Sequence, residues 1–139
     1  MAPVISAFKK NRADFKILVA VTAQHREMLD QILTEFNIVP DYDLDLMSKN
    51  QTLESLTGKI LNSVSELLID TQPDLIFVQG DTTTTFASSL AAFYQKIPIG
   101  HIEAGLRTKN IYSPFPEEIN RRMISTIASF HFPATQQAQ

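Results

Sequence analysis

Two kinds of pattern alternate along the chain: short runs that are apolar throughout, and longer stretches in which apolar residues recur every three or four positions. "FKILVAVT" (15–22) is a strand-length run rich in β-branched residues. "AQHREMLDQILTEFN" (23–37) follows, with Met28, Leu29, Ile32, Leu33 and Phe36 at helical spacing and Asn37 placed to end the helix. "IVPDYDLDLM" (38–47) reads as extended or irregular around Pro40. The most regular amphipathic helix is expected over 52–72, where Leu53, Leu56, Ile60, Val64, Leu67 and Leu68 repeat and Thr52 stands as N-cap. "PDLIFVQG" (73–80) is a continuous apolar strand, 86–96 is helical, and "IPIGHIE" (97–103) is a second buried strand. A helix over 116–129 opens with Pro116 in its first turn, and "FHFPAT" (130–135) reads as a last short strand. Residues 4–10 carry a weaker helical pattern that breaks at 11–14.

Strands that are unbroken apolar runs and alternate with helices predict an α/β fold with a Rossmann-like parallel sheet covered on both faces. Such domains ordinarily open on a central strand and a glycine-rich turn. Here the chain opens on a helix fragment, and neither GxGxxG nor GxxxxGK[ST] occurs.

Length and composition narrow the chemistry. A chain of 139 residues is one domain's worth, and no biased tract argues for disorder. The net charge of −3 supplies no basic face for nucleic acid, yet leaves room for a few arginines around a small anion. With no cysteine, disulfides, thiol nucleophiles and Cys-based zinc sites are excluded. His25, His101 and His131 are far apart in sequence, so no metal is expected. No window reaches the roughly 18 apolar residues of a membrane span, and "MAPVISAFKK" lacks the layout of a secretory signal. A soluble cytoplasmic protein is the expectation.

In open α/β sheets ligands bind at the carboxyl ends of the strands, and two acidic residues fall there. Asp81 follows Val78-Gln79-Gly80, where it fits either an N-cap for the next helix or a site. Glu103 ends the apolar run 97–103, where a glutamate is a poor cap and burial would be costly. Glu117 lies in the first turn of the 116–129 helix and four residues before Arg121, a spacing that allows an ion pair. Arg107 and Arg121 are candidate anion contacts, and His25 sits at the ligand side of its strand. Asp81, Glu103 and Glu117 thus come from strand-to-helix connections facing one crevice, a set suited to paired acid and base roles.

These residues sit in motifs. "QGDTTTTFASSLAAFYQKIPIGHIEAGLRT" followed by "YSPFPEEINRR" resembles the non-hydrolysing UDP-N-acetylglucosamine (UDP-GlcNAc) 2-epimerases of bacteria and archaea, and "TAQHREMLDQIL" agrees with the same family. The resemblance covers essentially the whole chain, with GDTTT, HxEAGLRT and PEExNR in order. It implies half of a GT-B fold, in which two Rossmann-like domains hold substrate between them. It also implies interconversion of UDP-GlcNAc and UDP-ManNAc without cofactor or metal, by elimination of UDP to a 2-acetamidoglucal and re-addition. On the family pattern Asp81, Glu103 and Glu117 match the acid/base carboxylates, without distinguishing base from acid. Arg121 matches the substrate-side arginine, and His101 and Arg107 are expected beside the substrate. Gln24-His25 matches the pair that contributes to an activating second UDP-GlcNAc site in some members. Glu27 and Lys59 depart from the pattern at that site.

The family pattern begins with a further strand and a Gly-Thr-Arg-Pro-Glu turn, and continues into a second domain. Residues 1–139 are therefore expected to form a partial N-terminal Rossmann-like domain lacking its first strand, with the C-terminal domain absent and little activity alone. A truncated, non-catalytic nucleotide-sugar-binding or dimerisation module is the alternative. A homodimer is implied by the resemblance.

Overall fold

The computed structural model describes residues 1–139 other than Arg12, Gln24, His25, Lys49 and Gln139. Two compact units make up the chain, Met1–Lys49 and Asn50–Gln139. In the first, helix α1 (Ala2–Lys9) starts with proline in its first turn, where a missing N–H costs nothing. Strands β1 (Ala20–Val21) and β2 (Tyr42–Asp43) pair in parallel, with Ala20 opposite Tyr42 and Val21 opposite Asp43. Helix α2 (Arg26–Glu35) connects them. The apolar run at 15–22 therefore yields only two ladder residues. The acidic run after Pro40, read as extended or irregular, contributes the partner strand. The Arg26 guanidinium clasps Asp43, and reaches Asp45 at 2.6 Å, in a solvent-exposed cluster that stabilises little.

The second unit carries the chemistry. Helix α3 (Leu53–Thr71) is capped as expected, the Thr52 hydroxyl accepting from the Ser55 N–H at 3.3 Å. Its buried stripe is Ile60, Val64 and Leu68, spaced by four. Strands β3 (Ile76–Gln79), β4 (Ile99–Ala104) and β5 (Phe130–Pro133) form a parallel sheet in that order. Helices α4 (Thr83–Tyr94) and α5 (Glu117–Ile127) are the two crossovers. Right-handed crossovers between sequential neighbours place both helices on one side of the sheet, and they pack on each other there. On its outer flank α4 packs against α3. Helix α4 presents Ala87, Ser89, Ala91 and Ala92, all buried, so the backbones approach closely. The strands thus form two parallel ladders, one in each unit.

Register sets what each strand offers. Val78, His101 and His131 stand side by side across the sheet, as do Phe77, Gly100 and Phe130. Gly100 is required by its neighbours, because a Cβ there would lie 2.6 Å from the Phe77 ring and 3.4 Å from Phe132. A short 3₁₀ turn (Gln136–Ala138), unforeseen in the sequence, follows β5.

Candidate active site

The carboxyl end of β3 turns sharply at Gly80, whose φ of +78° is the left-handed region that glycine enters freely. The next helix is capped by Thr82, which accepts from the Thr85 N–H at 3.3 Å. Thr85 in turn donates its hydroxyl to the Gln79 carbonyl at 2.8 Å. Of the two readings open for Asp81, the cap is therefore excluded: Thr82 does that work. The Asp81 carboxylate instead accepts from Arg121 Nη1 at 2.5 Å, with about a quarter of its side chain (27%) still open to solvent. The run of threonines thus divides its labour, Thr82 and Thr85 satisfying the backbone of the turn and so freeing the aspartate.

At the end of β4 the ladder breaks. Ile102 pairs with Phe132 and Ala104 with Pro133, leaving Glu103 as an unpaired bulge residue. Its φ is +64°, a conformation that costs a non-glycine residue about 1–2 kcal/mol. A bulge re-aims the residue it carries. Glu103 is exposed, and its Oε2 lies 3.5 Å from where a Cβ on Gly80 would stand. The strained backbone thus brings the Glu103 carboxylate over the Gly80–Asp81 turn.

His101, two residues before the bulge, is fully buried. Its Nε2 stands 2.7 Å from the Gly80 carbonyl, which can only accept, so Nε2 carries the proton. Nδ1 is then a bare acceptor, buried and without a partner among the described residues. Burial pulls the imidazole below its ordinary pKa, with the Gly80 hydrogen bond opposing. His101 is thus placed inside the layer beneath the turn and bonded to it.

Helix α5 supplies the cations. The expected Glu117–Arg121 pair is not made. Arg121 instead donates from Nη2 to Glu118 at 2.8 Å and from Nη1 to Asp81. Glu118 is completely buried, and its other oxygen accepts from Arg122 Nε at 2.7 Å. Arg121 holds the Glu118 carboxyl at about 2, well below the usual carboxylate range, although burial pushes the other way; Arg122 and the Thr108 backbone N–H assist. Burial alone would lower the Arg121 guanidinium, but its hydrogen bonds to Glu118 and Asp81 outweigh that and raise it. Asn120 donates from Nδ2 to the Asp81 carbonyl at 2.9 Å, so the helix grips both main chain and side chain of Asp81. Glu117, half-buried in the first turn, has no ion pair among the described residues and shares a helix face with Arg121. Arg107 is exposed and spent locally, on the Leu106 carbonyl at 2.7 Å and the Ser125 hydroxyl at 2.8 Å.

The structure thus joins Asp81, Arg121 and Glu103 around one turn and sets Glu117 on the helix face that reaches it. It keeps His101 beneath the turn and Arg107 to one side. Gln24 and His25 lie outside the described residues. Glu118, Asn120 and Arg122 escaped the sequence reading. The signal was present: Glu118 stands three and four residues before the two arginines, both pairing distances on a helix. Chemically, carboxylates beside a fixed guanidinium can exchange protons with a bound molecule while the cation faces its negative groups. Among the described residues no group of three or more histidine, aspartate or glutamate side chains is arranged to hold a metal. Among them, too, no helix is long and apolar enough to cross a membrane.

Comparison with known proteins bears directly on this site. The family model described as UDP-N-acetylglucosamine 2-epimerase matches residues 7–139. The UDP-N-acetylglucosamine 2-epimerase of Neisseria meningitidis is 55% identical over 139 residues, which is all of this chain and 37% of that protein. That of Salmonella typhimurium is 54% identical over the same length, again 37% of the protein. Among solved structures, the N. meningitidis enzyme bound to UDP-GlcNAc superposes with a TM-score of 0.94 at 56% identity, over 99% of this chain and 37% of that one. The Methanocaldococcus jannaschii enzyme in complex with UDP-GlcNAc and UDP gives 0.86 at 37% identity, over 99% of this chain and 37% of that one. The chain therefore spans little more than a third of the length of the relatives it matches. Its α/β arrangement of parallel strands corresponds to half of their GT-B fold. With motif order, site geometry and these likenesses agreeing, the chain belongs to the UDP-N-acetylglucosamine 2-epimerase family.

Proposed function

We propose that the protein carrying this chain interconverts UDP-GlcNAc and UDP-ManNAc, and that residues 1–139 are the part of its N-terminal domain that carries the acid/base carboxylates. In this reading one carboxylate of Asp81, Glu103 and Glu117 removes the proton from C2 of the sugar. The C1–O bond to UDP breaks as the C1–C2 double bond forms, giving the 2-acetamidoglucal and free UDP. UDP then re-adds at C1 while a second carboxylate returns a proton to the opposite face of C2. Atoms and electrons balance with no oxidant or reductant. Arg121 faces the negative charge of the departing diphosphate, and Arg107 lies toward the same side. His101 supports the turn from below. Gln24 and His25 belong to a second nucleotide-sugar site, and a homodimer in the cytoplasm is the working assembly.

The observation that carries this reading is the Glu103 bulge, a strained backbone that holds a carboxylate over the turn bearing the Arg121-paired Asp81. Strain of this kind persists where the surrounding structure enforces it, and it concentrates at active sites. The test is a chimera: the N. meningitidis relative with its matching third replaced by this chain, incubated with UDP-GlcNAc in heavy water. Epimerisation with deuterium at C2 is expected. Asp81→Asn, Glu103→Gln and Glu117→Gln should each lower kcat by about 10²–10⁴-fold. A folded chimera that leaves C2 protonated would refute the reading and favour a non-catalytic module.

A further inference from the structure

We propose that Glu118 is the positioning residue of this site, a buried carboxylate that orients Arg121 toward Asp81 and ties together the segments that carry the three acid/base carboxylates. The inference rests on the acid/base reading of Asp81, Glu103 and Glu117.

Through Arg121, Glu118 reaches the β3–α4 turn: its Oε2 holds Nη2 at 2.8 Å, which leaves Nη1 directed at Asp81. Through Arg122, it reaches the chain leaving β4. Its Oε1 holds Nε at 2.7 Å, and Arg122 Nη2 donates to the Thr108 carbonyl at 2.9 Å. Arg122 thus ties Glu118 to the backbone five residues beyond Glu103. The third carboxylate, Glu117, is Glu118's neighbour in the first turn of α5, at the far end of the same β4–α5 connection.

Charge and burial argue against a merely structural pair. Glu118 is fully buried and the Arg121 side chain is 8% exposed, whereas Arg122 is 40% exposed. A buried ion pair is seldom more stabilising than an apolar replacement of the same volume. What it does supply is direction: a planar guanidinium bound at one nitrogen has few orientations left for the others. Two carboxylates, Glu118 and Asp81, balance two arginines, so the network is locally neutral before substrate arrives. Removing Glu118 leaves the Arg121 guanidinium without its anchor, and the Asp81 carboxylate loses its fixed place.

The experiment uses the chimera, with kcat and KM for UDP-GlcNAc as readouts. Glu118→Gln is expected to lower kcat about 10²-fold, the effect of a displacement near 1 Å at reacting groups, with KM changed less than about threefold. Glu118→Asp keeps the charge but withdraws it by one methylene, and should lower kcat about tenfold. In an Arg121→Gln background, adding Glu118→Gln should cost no more than about a further twofold, because the path runs through Arg121. Ile124→Val, in the buried face of α5, is the structural control and should leave kcat within about twofold. The inference is overturned if either Glu118 variant retains kcat within about threefold, or if the Glu118 and Arg121 effects multiply in full. Where Glu118→Gln does not fold, Glu118→Asp decides. If instead Asp81→Asn leaves the chimera fully active, the acid/base reading fails and this inference with it.

Discussion

The backbone at Glu103 makes an unusually sharp prediction, because it concerns a sign. At an ordinary strand position glycine is less stable than alanine by about 0.5–1 kcal/mol, since it loses more conformational freedom on folding. Glu103 is not at an ordinary position: its φ is +64° in a bulge between Ile102 and Ala104. There any residue with a Cβ carries about 1–2 kcal/mol of strain that glycine does not. Taking mid-range values, about 1.5 kcal/mol of strain less about 0.75 kcal/mol of entropic disadvantage, Glu103→Gly should be more stable than Glu103→Ala by about 0.75 kcal/mol. Both substitutions remove the same exposed side chain, so lost contacts cancel in the comparison. Urea titration followed by circular dichroism reads the difference. With a slope of about 2 kcal/mol per molar, the midpoint of Glu103→Gly should lie about 0.4 M above that of Glu103→Ala. If alanine is the more stable, the strain is not there, and neither is the account of how the carboxylate is held over Gly80.

Other measurements test the rest of the site. Glu118 has a folded value near 2 against an ordinary 4.5, so its stabilisation is present above the ordinary value and is lost as pH falls through about 2. Stability measured between those limits should fall less steeply in Glu118→Gln than in the parent; equal slopes would contradict the pairing with Arg121. For His101 burial acts the other way: a lowered folded value means stability is lost as pH drops below the ordinary 6.5. At neutral pH its ring ¹⁵N shifts should show a protonated Nε2 and a bare Nδ1, and the reverse tautomer would remove the bond to the Gly80 carbonyl. Thr82→Ala should cost about 1 kcal/mol in the same urea assay, the usual loss of an N-cap, because Thr82 and not Asp81 caps α4.

Much of this arrangement is legible in the sequence, and the parts that are not share a cause. Helix α3 and its Thr52 cap follow from periodicity and local chemistry, since both depend on residues within one turn of each other. Strand β2 does not: Tyr42 and Asp43 are both exposed, so no apolar signal marks them, and they are strand only because Ala20 and Val21 lie alongside. The same holds for partner choice. Spacing permits Arg121 to pair with Glu117, yet it pairs with Glu118 and with Asp81, forty residues away in sequence. Which of two neighbouring glutamates is buried is decided by the packing of α5 against α4 and β4, not by the helix itself.

By itself, then, the sequence determined the alternation of strands and helices, the ends at which ligand groups gather, and the motifs that carry Asp81, Glu103 and Glu117. These are properties of short windows, where side-chain period and turn chemistry act locally. Tertiary structure alone decided the directions. It put Glu103 in a left-handed bulge over Gly80, turned His101 inward to the Gly80 carbonyl, and aimed Arg121 at Asp81 from a buried Glu118. Each of those outcomes depends on groups brought together by the parallel pairing of β3 with β4 and the docking of α5. A hydrogen bond or an ion pair between distant residues leaves no period in the chain that makes it.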